Sequence, residues 1–337
     1  MSDRTLIETL ASIFWLATVI TIGFMSPFVI ATEPKFILEW GTAGDGPGQF
    51  HSPICIAVNK DDHVFVADLN NARVQQFTDK GDFVAQFELP RDTPDRKSSL
   101  IGGMAFTSDG FLCLSYMIQH KIAIVTQSGE IVRQWGSKGS GSGQFNQPGG
   151  IIIRSNGNIV VADQCNHRLQ EFTSAGEHVR SIGQHGDKAG QFGSPELPGS
   201  RFGGPHFLGQ DSQGRMYTSE GAAGRIQQLD SDGTPLKLWG SKTVEPGAFG
   251  EYKFGGLKNT FGPIGVFVDR NDQVWVSSLN DRVQCFSPEG QFRQRIDGVS
   301  LDDAFTHPHG MAQDSRGYFY VADSGGQRIV KFDIHSK

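Results

Sequence analysis

Two histidines stand at equivalent places in a repeating chain. In "GPHFLGQ" and "HPHGMAQ" the residue after a strand-opening proline is His206 and His309. The matching slots elsewhere hold Ile54, Gly102, Gly149 and Ile264. Histidine supplies only 10 of 337 residues, so two in six such slots is the convergence by which sites are found. Imidazoles directed at a common axis suit a metal, and the cofactor candidates are Zn²⁺ and Ca²⁺. The alternative is a pair of histidines bonded to ordered water.

A second set of polar residues recurs with the same period. "VADLNNARVQQF" has relatives in "VADQCNHRLQEF", "TSEGAAGRIQQL" and "VADSGGQRIVKF". Each ends a strand on an acid, crosses a short polar link and opens the next strand on arginine. The pairs are Asp68 with Arg73, Asp163 with Arg168, Glu220 with Arg225, and Asp323 with Arg328. Charge pairs repeated at one position usually serve geometry, so these read as ties that hold the scaffold. The links they bracket share a face with the histidine slots. Tyr116, His120, Gln164, His167 and Glu220 are therefore predicted on a ligand-binding face. Tyr116 and His120, in an irregular copy, could approach the vacancy left by Gly102.

The elements that must position these residues follow from the repeat. Aligned on the basic residue, six copies centre on Arg73, Lys121, Arg168, Arg225, Arg282 and Arg328, spaced 46 to 57 residues apart. Each contains four short strands punctuated by turns rich in Asn, Asp and Gly, which is the pattern of a β-propeller blade. The last copy stops after its third strand, while "FILEWGTAGDGPGQF" (36–50) is an orphan fourth strand. The expected fold is all-β: a six-bladed propeller over 36–333, closed by the N-terminal strand completing the last blade.

The "WGxxGxGxGQF" links, the "P-x-G-I" strand starts and the "VADxxNxRIQxF" segments resemble the NHL-repeat family of six-bladed propellers. The second copy departs from it, with Tyr116 for the acid and Lys121 for arginine, and the fifth has Ser278 at the acid position. The Pro-His pattern is similar, more weakly, to the peptidyl-α-hydroxyglycine (peptide-amidating) lyases. That resemblance implies zinc held by histidines on three alternate blades, two of which map to His206 and His309. The third maps to Gly102, and the tyrosine expected near Asp163 is replaced by Gln164-Cys165.

The remaining chemistry is sparse. Formal net charge is −6 without a basic block, which argues against nucleic acid as a partner. Cys55, Cys113, Cys165 and Cys285 have no paired spacing, so neither a disulfide framework nor a zinc knuckle is expected. Two enlarged connections, 186–204 and 242–262, flank the fourth and fifth blades. From Thr9 to Thr32 the chain carries no charge. Residues 1–32 are thus a signal peptide or a transmembrane anchor, one hydrophobic helix in either case. The expectation is an extracytoplasmic (periplasmic or secreted) or membrane-tethered, monomeric propeller. It would bind a protein, peptide or glycan at its loop-rich face, as a binding or scaffold module. The alternative is a metal-dependent lyase or hydrolase at the channel mouth.

Overall fold

The computed structural model describes residues 33–335, except 96, 194–202, 244, 251–261, 279 and 301. The expected N-terminal helix lies outside these residues, as do parts of both enlarged connections. Among the described residues no helix is long and apolar enough to cross a membrane.

Alternation of apolar and polar residues, broken by Gly-bearing turns, produces short antiparallel strands. Six sheets of four strands result. Blade one comprises Pro53–Val58, Val64–Asp68, Arg73–Phe77 and Phe83–Glu88. Blades two to five repeat that order from Ile101–Phe106, Pro148–Ile153, Leu208–Gln210 and Pro263–Val268. Blade six contributes Pro308–Gln313, Tyr318–Asp323 and Arg328–Asp333, and its outer strand is Lys35–Trp40. The first and last strands therefore meet within one sheet, with Phe36 opposite Phe332 and Trp40 opposite Ile329. This pairing completes the sixth blade, so that all six sheets have four strands.

The core lies between blades. Each blade's second and third strands are almost wholly buried, while outer strands are largely exposed. Trp40 bridges the seam, its ring 5.8 Å from Phe77 of blade one and 6.0 Å from Tyr320 of blade six. It rests on Gly81 (φ +85°), where an added Cβ would sit 2.9 Å from the indole. Inner strands start at one end of the ring, here the upper face, which also carries the links between second and third strands. The tight turns lie on the lower face, as do the start of Lys35–Trp40 and the end of Arg328–Asp333.

Candidate functional site

The acid–arginine pairs form as salt bridges. Arg73 Nε lies 3.0 Å from Asp68, Arg168 Nε 2.9 Å from Asp163, Arg225 Nε 3.0 Å from Glu220 and Arg328 Nε 2.9 Å from Asp323. All four acids are fully buried. Burial pushes the carboxyls of Asp163, Glu220 and Asp323 upward despite these donors. Their second task was hidden in the sequence. Asp68, Asp163, Glu220 and Asp323 accept the backbone N–H of His51, Asn146, Gly193 and Thr306. Each acid thus pins the connection arriving from the preceding blade. A buried glutamine completes the clamp: Gln75, Gln170, Gln227 and Gln284 accept from Gly48, Gly143, Gly190 and Gly247 and donate to the carbonyls of Gln49, Gln144, Gln191 and Ala248. The Gly-rich links are held by side chains and need no ligand to order them.

Several residues predicted on the binding face turn out to be internal. Tyr116 is 4% exposed within the apolar core shared by blades one and two, and burial pushes its phenol up to about 12. Gln164 and Glu220 are fully buried, and His167 is 7% exposed. His120 and His167 share a backbone role. The residue before the basic strand opener has positive φ in every blade: Ala72, His120, His167, Gly224, Asp281 and Gln327. From that left-handed position the side chain reaches the next blade. His120 Nδ1 accepts the N–H of Gln147 at 3.0 Å, Asp281 that of His307 at 2.8 Å, and Gln327 that of Ser52 at 2.7 Å. Burial, with Lys138 nearby, pushes the His120 imidazole pKa down. Burial and His185, whose ring centroid is 4.4 Å away, do the same to His167. Cys165, the one cysteine in a link, is buried like the other three.

The two lip histidines differ from each other. His206 is buried, and its Nδ1 lies 2.8 Å from Oε1 of Gln164 in the preceding blade. That contact fixes the orientation of the ring. His309 is half-buried, and its carbonyl accepts the hydroxyl of Ser277 at 2.6 Å. The third ligand is what fails. At Gly102 an added Cβ would stand 2.4 Å from the carbonyl oxygen of Pro148 and 2.6 Å from Cα of Gly149, so no side chain fits there. Among the described residues no three His, Cys, Asp or Glu side chains come together to share an ion. The donor set does not fit a three-histidine zinc centre.

A groove of about 700 Å³ opens elsewhere on the upper face. Gly44, Asp45, His51, Asn70 and Asn71 form one wall, and Lys97 and Ser98 the other. The first wall is stiff. Asp68 fixes the His51 backbone, Asn71 donates to Asp68 and to the carbonyl of Gly44, and Asn70 donates to Ser52 Oγ. Sequence reasoning passed over this place. Its signal was the polar connection "LPRDTPDRKSSL" (89–100), as distinctive as the two connections singled out.

Comparison with known proteins agrees with this architecture. The family model described as NHL repeat matches residues 50–77, 145–172 and 305–332. A stretch of 103 residues is 32% identical to Protein brain tumor of Drosophila melanogaster, covering 29% of this chain and 10% of that protein. The chain thus matches about a tenth of that relative's length. Virginiamycin B lyase from Staphylococcus aureus superimposes with a TM-score of 0.56 at 16% identity, over 90% of this chain and 100% of that one. A gluconolactonase from Xanthomonas campestris gives 0.59 at 15% identity, over 86% and 88%. At such identities the likeness speaks for the fold alone. The chain is a six-bladed propeller carrying NHL repeats.

Proposed function

We propose that this propeller is a binding module that holds a protein or peptide partner in the upper-face groove beside blade one. The groove itself carries the reading. Every residue that lines it is polar or glycine, with one lysine and one aspartate. Such a lining suits an extended chain that brings its own hydrogen-bonding groups. NHL propellers commonly bind proteins, which supports the same class of partner. A glycan, equally rich in hydroxyls, is the next ligand class. The uncharged Thr9–Thr32 run supports export or tethering of the domain, with residues 1–32 as leader or anchor.

A metal-dependent lyase or hydrolase at the channel mouth is the weaker reading, since no third His, Cys, Asp or Glu joins His206 and His309 among the described residues. The deciding experiment places a photo-crosslinking amino acid at Asn70 or Lys97 in cells, with a control at Asp109 on the lower face. A defined adduct from the groove positions alone, lost at the Asn70 position on Asn71→Ala with Lys97→Glu, is the expected outcome. Identical adducts from both faces would remove the groove from consideration. Intact mass of the mature chain decides whether the leader is cut.

A further inference from the structure

The inner strands enclose a cavity of about 560 Å³ that opens on the lower face, away from the groove and from both lip histidines. Its shape follows from one position in the repeat. The third residue of the inner strand is Gly103, Gly150, Gly265 or Gly310 in four blades. There an added Cβ would stand 2.7 Å from the Ile151 amide nitrogen, 2.6 Å from that of Leu208, 2.2 Å from the His309 carbonyl and 2.6 Å from the Ile54 carbonyl. Neighbouring backbones close on each other, and the channel is pinched at its upper end.

One residue further down every blade carries a large aliphatic side chain: Ile56, Met104, Ile151, Leu208, Val266 and Met311, all lining the cavity. The next outward-facing layer has Val58, Phe106, Ile153 and Val268, half-buried at the walls. Two blades break this pattern with Gln210 and Gln313. Gln313 is occupied, donating to the carbonyl of Gly317 and accepting from the amide of Arg270. Gln210 is half-buried and its carboxamide makes no hydrogen bond to the described residues. A volume of this size is that of a small-molecule pocket in which apolar side chains share the wall with polar groups.

We propose that the lower channel is a second binding site, for an uncharged small molecule with an apolar body and a hydrogen-bonding end that meets Gln210. The charged side chains at the mouth are committed elsewhere. Asp211 binds Arg215 and Tyr217, and Asp272 binds Ser212. A charged ligand would find no free partner there among the described residues, which favours a neutral one.

1-Naphthol is a suitable probe, titrated by fluorescence into the full chain held in lipid nanodiscs, with empty nanodiscs as the partition blank. We expect one saturable mole per mole of protein. Val268→Trp, which fills the channel, should abolish that component. Gln210→Leu should weaken 1-naphthol about three- to ten-fold, the worth of one neutral hydrogen bond, and leave naphthalene unchanged. Absence of any saturable component would overturn the proposal. So would unaltered binding to a Val268→Trp protein with wild-type melting. If Val268→Trp does not fold, equal response of both probes to Gln210→Leu overturns it instead.

Discussion

The imidazole of His206 is held by the carboxamide of Gln164, with Nδ1 and Oε1 2.8 Å apart across two blades. Both side chains are buried. Removing one partner strands the other away from water, whereas removing both does not. Gln164→Leu should therefore lower unfolding free energy by about 1–3 kcal/mol, and His206→Phe in that background should recover part of the loss. Urea denaturation of the four proteins measures the coupling; additive losses would dissolve the pair as an energetic unit.

The acid–arginine clamps make a second expectation. Asp163→Ala leaves Arg168 without its carboxylate and frees the Asn146 amide that fastens the incoming connection. Loss of one member of a buried ion pair costs about 3–5 kcal/mol. Chemical denaturation should show a loss in that range. Lys80→Ala, on an exposed turn, should leave stability unchanged.

Mild acid should loosen the ring through its histidine clasps. The folded state depresses the His120 and His167 pKa values below their unfolded value, which is about 6.5. Above that pH both states are neutral and nothing is lost. As pH falls through about 6.5 the unfolded chain takes up protons that the folded chain refuses, so stability declines. His120→Asp should flatten part of that slope between pH 7.5 and 5, because Asp281 makes the same clasp without a titrating imidazole. A melting curve as steep in the variant as in the wild type would refute this account.

Stronger acid should attack the closing seam. The Asp79 carboxylate of blade one accepts a hydrogen bond from Arg316 and pairs with Lys331 of blade six, whose ammonium also donates to the Asp79 carbonyl. The Arg316 hydrogen bond holds the carboxyl below the ordinary range. That contribution is present above the unfolded aspartate value of about 3.9 and is lost as pH falls through the lower folded value. Hydrogen exchange below pH 4 should report the outer strand Lys35–Trp40 opening before the other outer strands. Asp79→Asn should bring that opening forward to neutral pH.

Purified protein should contain far less than one equivalent of zinc, with no change on His206→Ala or His309→Ala, by elemental analysis. Stoichiometric zinc lost from both variants would restore the lyase reading.

The ring was legible because its period is written in residue types that do one job each. Proline opens the inner strand, glycine turns it, and the acid and arginine bracket the link. The orphan strand near Trp40 was legible for the same reason, since the count of strands would not otherwise close. The site was harder to read. His120 and His167 carry chemistry-bearing side chains, yet they occupy a left-handed turn position that Ala72 and Gly224 fill equally well elsewhere. Only the backbone angle reveals that role. The groove beside Asn70 and Lys97 depends on how two connections pack, and Lys97, unlike Asn70, lies outside the repeat that made the rest readable.

Lys35 lies opposite Asp333 on neighbouring strands. Within the propeller the break between those two strands is therefore interchangeable with a break at another turn on that rim. In a propeller domain of residues 33–335, a short linker joining Lys35 to Asp333, with a new opening cut at a tight turn such as Asn156-Gly157, should yield a circular permutant with the same architecture.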